Sequence, residues 1–271
     1  MKKIKINILL GLILTSSVNS LSGQDEKAPF DPSSAQKSGL GLPSPIDKFM
    51  GLDAALGAKA VDWKKTFNDV AISPDMGALK EEADICLALG VKIADGVMAI
   101  KARYAGGLND SSKEIEALSA KLGVTKAELE RAEKTRALAN KDEWLAVFWE
   151  LGCLQVDIMD SLNKKGNETR RPLIVASGWI EGVHYAAKVI DEQYTPELSN
   201  ILREPMLVKA MIDETEALPE KYKSNARVQK LIKGLNELYK IVNVPVDGVI
   251  KKEDVRRMKE LTGELAGEFV S

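Results

Sequence analysis

The stretch LKEEADICLALGVKIADGVMAIKAR, residues 79–103, decides the fold. Leu79, Ala83, Cys86, Leu87, Gly90, Ile93, Val97 and Ile100 recur at steps of three and four, the period of one face of an α-helix. Ser73-Pro74-Asp75 reads as the opening of that helix, so the spacing predicts a helix from there to about Arg103. Beyond it, Gly106-Gly107 reads as a stop. Ser111 with Glu114, and Thr125 with Glu128, read as two capping boxes, each starting a short charged helix.

The same period continues along the chain. A helix is predicted from Asp142 to about Leu162, carrying Trp144, Leu145, Val147, Phe148, Trp149 and Leu151, and it is apolar nearly all round, which predicts a central position. Another covers about Pro172–Tyr194. Thr195-Pro196 is an N-cap followed by proline at the first helical position. Pro205 and Pro219 mark further boundaries, and the last helix starts near Lys251 and runs towards Phe269. Only Ile241–Val246 could be a strand, and Pro245 argues against it. The fold class this implies is all-α: an antiparallel multi-helix bundle in a single domain over residues 46–271, with two smaller bundles as the alternative.

The chain has 271 residues, 45% of them hydrophobic and 29% charged, which excludes a disordered or collagen-like chain. Its formal charge of −2 lacks the basic excess of a nucleic-acid binder, so no nucleic-acid partner is expected. Lys2, Lys3 and Lys5 precede the apolar run Ile6–Leu14, and Val18 and Ser20 suit the −3 and −1 positions of a signal-peptidase site. Residues 1–20 therefore read as a signal peptide, with an uncleaved amphipathic N-terminus as the alternative. Residues 21–45, rich in Ser, Pro and Gly, read as a flexible tether or surface strap. No other segment is apolar enough to span a membrane, so the expectation is a mature chain that is periplasmic or extracellular.

Small residues inside the long helices are the informative oddity: Gly90, Ala94 and Gly96 in one, Ala176, Ser177, Gly178 and Gly182 in another. An interior glycine costs about 0.5–1 kcal/mol relative to alanine, so a gain elsewhere should offset it. Close helix–helix approach, with Trp144 or Trp149 filling the notch, is one reading; a groove where a ligand reaches the backbone is the other. Ala94-Asp95-Gly96-Val97 also echoes Ile180-Glu181-Gly182-Val183, each placing a carboxylate before a glycine in an apolar stretch.

Three motifs, Leu42-Pro43-Ser44-Pro45-Ile46-Asp47, Leu87-Ala88-Leu89-Gly90-Val91-Lys92-Ile93-Ala94-Asp95 and Ser177-Gly178-Trp179-Ile180-Glu181-Gly182, occur in that order. In these motifs and their spacing the chain resembles an uncharacterised family of exported all-helical proteins of Gram-negative bacteria. Ser177 stands where that family tends to have glycine and His184 where it tends to have tyrosine, which argues against an essential His184. The resemblance implies an exported helical bundle and no assigned activity.

Candidate chemistries are few. Glu181-x-x-His184 has the spacing of one half of a di-iron site, but the chain has a single histidine, so no metal and no cofactor is expected. Ser177 and His184 lie roughly 10 Å apart along one helix, too far for a hydrogen bond, and no catalytic residue is assigned. Asp95, Glu150, Asp157 and Glu181 lie in helices expected to be partly buried, with Lys92, Lys101 or Lys188 as partners. Asp95 and Glu181 are expected to meet in one polar centre with Trp179, Gly178 and Gly182, either structural or ligand-binding, with the Trp179 indole N–H and Lys92 or Lys188 as its donors. Cys86 and Cys153 could form a disulfide in an oxidising compartment, or stand as two buried thiols. The expected function is that of a non-catalytic protein of the cell envelope binding an unknown protein or small-molecule partner; the rival is a hydrolase using Asp95 and Glu181. Export itself predicts that the intact mass of the periplasmic form corresponds to a chain beginning at Leu21. A membrane-fraction mass that retains Met1 would overturn it.

Overall fold

A computed structural model describes residues 45–57, 59–125, 130–147, 149–150, 153, 169–245 and 247–271. The expected signal peptide, almost all of the expected tether, the Glu128 half of the second capping box and Asp157 lie outside the described residues. Eleven α-helices carry the labels used below: α1 Pro45–Leu56, α2 Trp63–Val70, α3 Glu82–Lys101, α4 Ala105–Lys121, α5 Glu130–Ala139, α6 Arg170–Glu192, α7 Pro196–Ser199, α8 Pro205–Glu216, α9 Glu220–Lys223, α10 Ala226–Val242 and α11 Lys252–Val270. A 3₁₀ turn, Asn200–Leu202, follows α7, and residues 144–147 and 149–150 are also helical. There is no strand among the described residues, and they pack as one unit.

α3 is the central helix. From Ala83 to Ile100 every residue but Ile93 is buried, because α6, α4, α11, α1 and α2 surround it. The helix predicted to be central, beginning near Asp142, is not: Leu145 is 89% and Trp149 56% exposed, with only Val147 fully buried among its described apolar residues. Apolar composition alone does not fix depth; the short, small-residue faces of α3 and α6 pack more closely than a segment carrying two tryptophans can.

Three boundaries differ from expectation. Ser73-Pro74-Asp75 is not a helix start: the Asp75 carboxylate accepts from the backbone N–H of Gly77 and Ala78 in a separate turn, and Asp75 N donates to the Val270 carbonyl at 2.7 Å. α3 begins instead after Glu81, where Asp84 and Glu81 form a reciprocal capping box. Gly106-Gly107 does not end a helix but sits in the first turn of α4. A Cβ on Gly107 would lie 2.7 Å from the Tyr104 ring and 2.8 Å from the Phe67 ring, so these glycines make room for an edge-to-face aromatic pair. Ser111 starts nothing, being buried within α4 along the α3 contact. By contrast Thr195 caps α7 through the Leu198 N–H, and Pro205 opens α8.

The order of cross-helix contacts gives the directions. Glu82 meets Arg170, Gly90 meets Gly178 and Asp95 meets Tyr185, so the central pair α3 and α6 runs parallel. The neighbouring pairs run antiparallel: Lys92 and Gly96 of α3 meet Glu114 and Ser111 of α4, Arg257 and Leu265 of α11 meet Glu237 and Gly234 of α10, and Lys259 and Gly263 of α11 meet Asp191 and His184 of α6.

The glycine notch is filled by backbone rather than by Trp144 or Trp149. A Cβ on Gly90 would collide with Ser177 Oγ and the Ile174 carbonyl oxygen, and one on Gly178 would stand 3.0 Å from the Gly90 carbonyl oxygen. Close helix approach is therefore the offset for these interior glycines. Gly90→Ala is expected to gain a few tenths to about 1 kcal/mol of helix propensity and lose more by prising the helices apart. The net effect should be a loss of at least about 2 kcal/mol, measured by urea unfolding; an unchanged midpoint would show that the contact is dispensable.

Candidate functional site: a buried carboxyl pair

The parallel register of α3 and α6 brings Asp95 and Glu181 together. Asp95 is completely buried and Glu181 is 2% exposed, and each carboxyl acts on the ionisation of the other. Around Asp95 the contacts are dense. Lys92 Nζ lies 2.6 Å from one carboxylate oxygen, and Tyr185 Oη donates to the other at 2.8 Å. Lys92, itself buried, also reaches Glu114 of α4 at 2.7 Å and donates to the Ile72 carbonyl at 3.0 Å. One ammonium thus ties α3, α4 and the segment before α3 to the buried pair.

Glu181 has fewer partners. Its Oε2 lies 3.7 Å from Nδ1 of His184, too long for a hydrogen bond, and both atoms are buried without a hydrogen-bond partner. Both residues line a cavity of about 10 Å³, together with Val70, Ile72, Val91, Gly263, Ala266 and Val270. That is the scale of one water molecule.

The electrostatics follow from burial. Both carboxyls are pushed up, Asp95 to about 8 and Glu181 to about 7. Desolvation is the main cause for each, and at Asp95 the charge of Glu181 adds to it. Lys92 and the Tyr185 hydroxyl pull Asp95 the other way. Burial pulls the Lys92 ammonium down, and Asp95 and Glu114 more than offset it. Burial lowers His184 to about 4, with Lys188 and Lys259 adding to the effect against Asp95, so its ring is neutral near pH 7.

Of the expected centre, Asp95 and Glu181 meet and Lys92 supplies the cation. Trp179 does not take part: two residues along a helix turn by about 200°, which puts its indole on the other side of α6 from Glu181. There its N–H donates to Glu204 at 2.9 Å, and Lys48, 3% exposed, holds the same carboxylate at 2.5 Å. Gly178 lies at the Gly90 contact, and Gly182 is buried in α6. Lys188 instead pairs with Asp69 and Glu192, Lys101 with Asp53, and Glu150 with Lys134. The cysteines stand free in this structure, Cys86 buried with its thiol pushed up to about 12 by desolvation, Cys153 half-buried. A thiol so held is unreactive.

Several polar residues carry no sequence signature. Tyr185 is one, its hydroxyl reaching Asp95 from within an apolar run. Another group gathers at the start of α3: Asn225 caps α10 with its carbonyl oxygen and donates to Glu81 and Asp84 at 2.9 Å each, while Arg227 pairs with Asp84 at 3.1 Å. Negative side chains at a helix N-terminus are stabilised by its dipole, so this cluster anchors α3. Among the described residues no group of three or more His, Cys, Asp or Glu could hold a metal ion, and no helix is long and apolar enough to cross a membrane. No protein-family model, no curated protein and no solved structure matches this chain.

The carboxyl pair sets the pH dependence of stability. Carboxyls raised in the folded state bind protons that the unfolded chain has already lost, so their contribution falls as pH rises through about 7 and 8. His184, lowered in the folded state, acts oppositely: its contribution rises with pH from about 4 to 6.5. The two oppose each other on the acid side, and above about pH 6.5 only the carboxyl effect remains. Stability is expected to drop by about 1–3 kcal/mol between about pH 6.5 and 8.5. Glu181→Gln, which removes one of the two raised carboxyls, should flatten that drop. Parallel wild-type and variant curves of unfolding free energy against pH would refute this.

Proposed function

We propose that the chain is an exported, non-catalytic helical protein of the cell envelope that acts by binding a protein partner at its surface. The observation that carries this reading is the apolar pair Leu145 and Trp149. They stand four residues apart on a helical segment, so they share one face, and both are exposed. Large apolar side chains presented together on a soluble domain mark interaction sites more often than isolated ones do, and tryptophan is enriched among residues that dominate interface energies.

The buried carboxyls support the non-catalytic part. Asp95 is committed to Lys92 and Tyr185, and the cavity beside Glu181 has room for about one water, whereas substrate clefts run to hundreds of Å³. A hydrolase built on this pair would need a route for substrate that side chains of α2, α6 and α11 occupy. Export rests on the basic and apolar pattern of residues 2–20 and agrees with the resemblance to exported helical proteins.

Leu145→Glu combined with Trp149→Glu tests the surface. Both side chains are exposed, so unfolding free energy is expected to change by less than about 0.5 kcal/mol. A photo-crosslinking residue at 145 should capture one defined protein in the producing cell, and Trp149→Glu should abolish that adduct. Two results would sink the proposal: the same adduct with Trp149→Glu, or a small molecule retained in native mass spectra and lost with Asp95→Asn.

A further inference from the structure

The cavity beside Glu181 is not accounted for by a role in holding the helices together. Glu181 Oε2 and His184 Nδ1 both line it, both are buried, and neither has a hydrogen-bond partner. Leaving two such atoms unpaired is costly, and proteins meet that cost with an ordered water where the space allows. The 3.7 Å between them is short enough for one water to hydrogen-bond both. The cavity volume of about 10 Å³ matches a single molecule. Gly263 of α11 supplies the remaining room: a Cβ there would lie 2.9 Å from Cε1 and Nε2 of the His184 ring.

The site also sits between the buried pair and the surface. Glu181 acts on Asp95 on one side, and the His184 side chain, 18% exposed, reaches solvent on the other. We propose that Glu181 and His184 hold one water molecule in this cavity, and that this water is the path by which the Asp95–Glu181 pair exchanges its proton with solvent. On ionisation the proton leaves Glu181 Oε2 for the water, the water passes one of its own protons to Nδ1 of the neutral imidazole, and the imidazolium releases a proton from its other nitrogen. The carboxylate gains the negative charge that the released proton leaves behind. The reverse sequence reprotonates the pair.

The charged and titratable groups around this path come from every adjoining helix. α3 contributes Asp95 and Lys92, α4 contributes Glu114 through Lys92, and α6 contributes Tyr185 and Lys188. α2 contributes Asp69, which pairs with Lys188, and α11 contributes Lys259, which acts on His184. Burial, helped by the two lysines, keeps the ring neutral, so it accepts a proton only in passing, as a relay must.

The test uses the full chain, whose single histidine gives one unambiguous set of ring signals. Cross-relaxation between solvent and the carbon-bound ring protons of His184 should show a contact of the sign given by a water held for longer than a nanosecond. No such contact in the folded protein overturns the site. With carbon-13 at the glutamate carboxyls, the Glu181 signal is expected to move continuously through its titration. In His184→Phe it should split into separate protonated and ionised signals, because exchange slows at least tenfold. An unchanged line shape in the folded variant overturns the proton path. Should that variant not fold, Gly263→Ala, whose methyl would press on the ring, takes its place with the same two outcomes.

Discussion

The structure depends on how closely α3 and α6 approach at Gly90 and Gly178. With hydrogen atoms in place of side chains, the backbones meet directly, and Ser177 keeps its hydroxyl on its own helix by donating to the Leu173 carbonyl at 2.8 Å. At that spacing short side chains further along both helices are forced together. Asp95 lies five residues beyond Gly90, and Glu181 three beyond Gly178, so the two carboxyls meet because the glycines do. A wider separation would leave both carboxyls to water or to long-chain partners.

Two carboxyls in so dry a place cannot both be charged, and the molecule meets this in three ways at once. Lys92 pairs with Asp95, Tyr185 donates to it, and burial makes the pair keep a proton up to about neutral pH. The same lysine reaches Glu114 and the Ile72 carbonyl, so the solution to a local charge problem also fixes α4 and the chain before α3 to the central pair. A buried ion pair contributes little net stability, but removing one member is costly, and that asymmetry defines a single arrangement of the helices. The Lys48–Glu204–Trp179 contact does similar work on the other side of α6, holding α1 against it and against the start of α8.

Much of this was legible in the sequence. Recurrence at three and four residues named the helices. Thr195-Pro196 and Pro205 marked true starts, and the paired carboxylates next to helix glycines pointed to Asp95 and Glu181. Local signals failed where tertiary packing used the same residues differently. Gly106 and Gly107 look like a stop, yet they accommodate Tyr104 and Phe67. Ser111 has a capping-box partner in Glu114, but Glu114 is taken by Lys92. Trp179 lies in the same motif as Glu181 and still faces away from the pair, because a helix turns by about 100° per residue whatever the motif.

What the sequence determined by itself is the helical class and the small residues that permit a close contact, since periodicity and the lack of a Cβ are properties of single residues and their neighbours. What only the tertiary structure decided is direction and depth. α3 and α6 run parallel across a connection of nearly seventy residues, and no local pattern encodes the relative direction of segments so far apart. α3 is central and the Trp144–Trp149 segment is not, because burial depends on which surfaces find a complementary partner, and the closest match here lies between two glycine-notched helices. The pairing of Asp95 with Tyr185 and Lys92, and the water-sized space between Glu181 and His184, follow from that choice of partner.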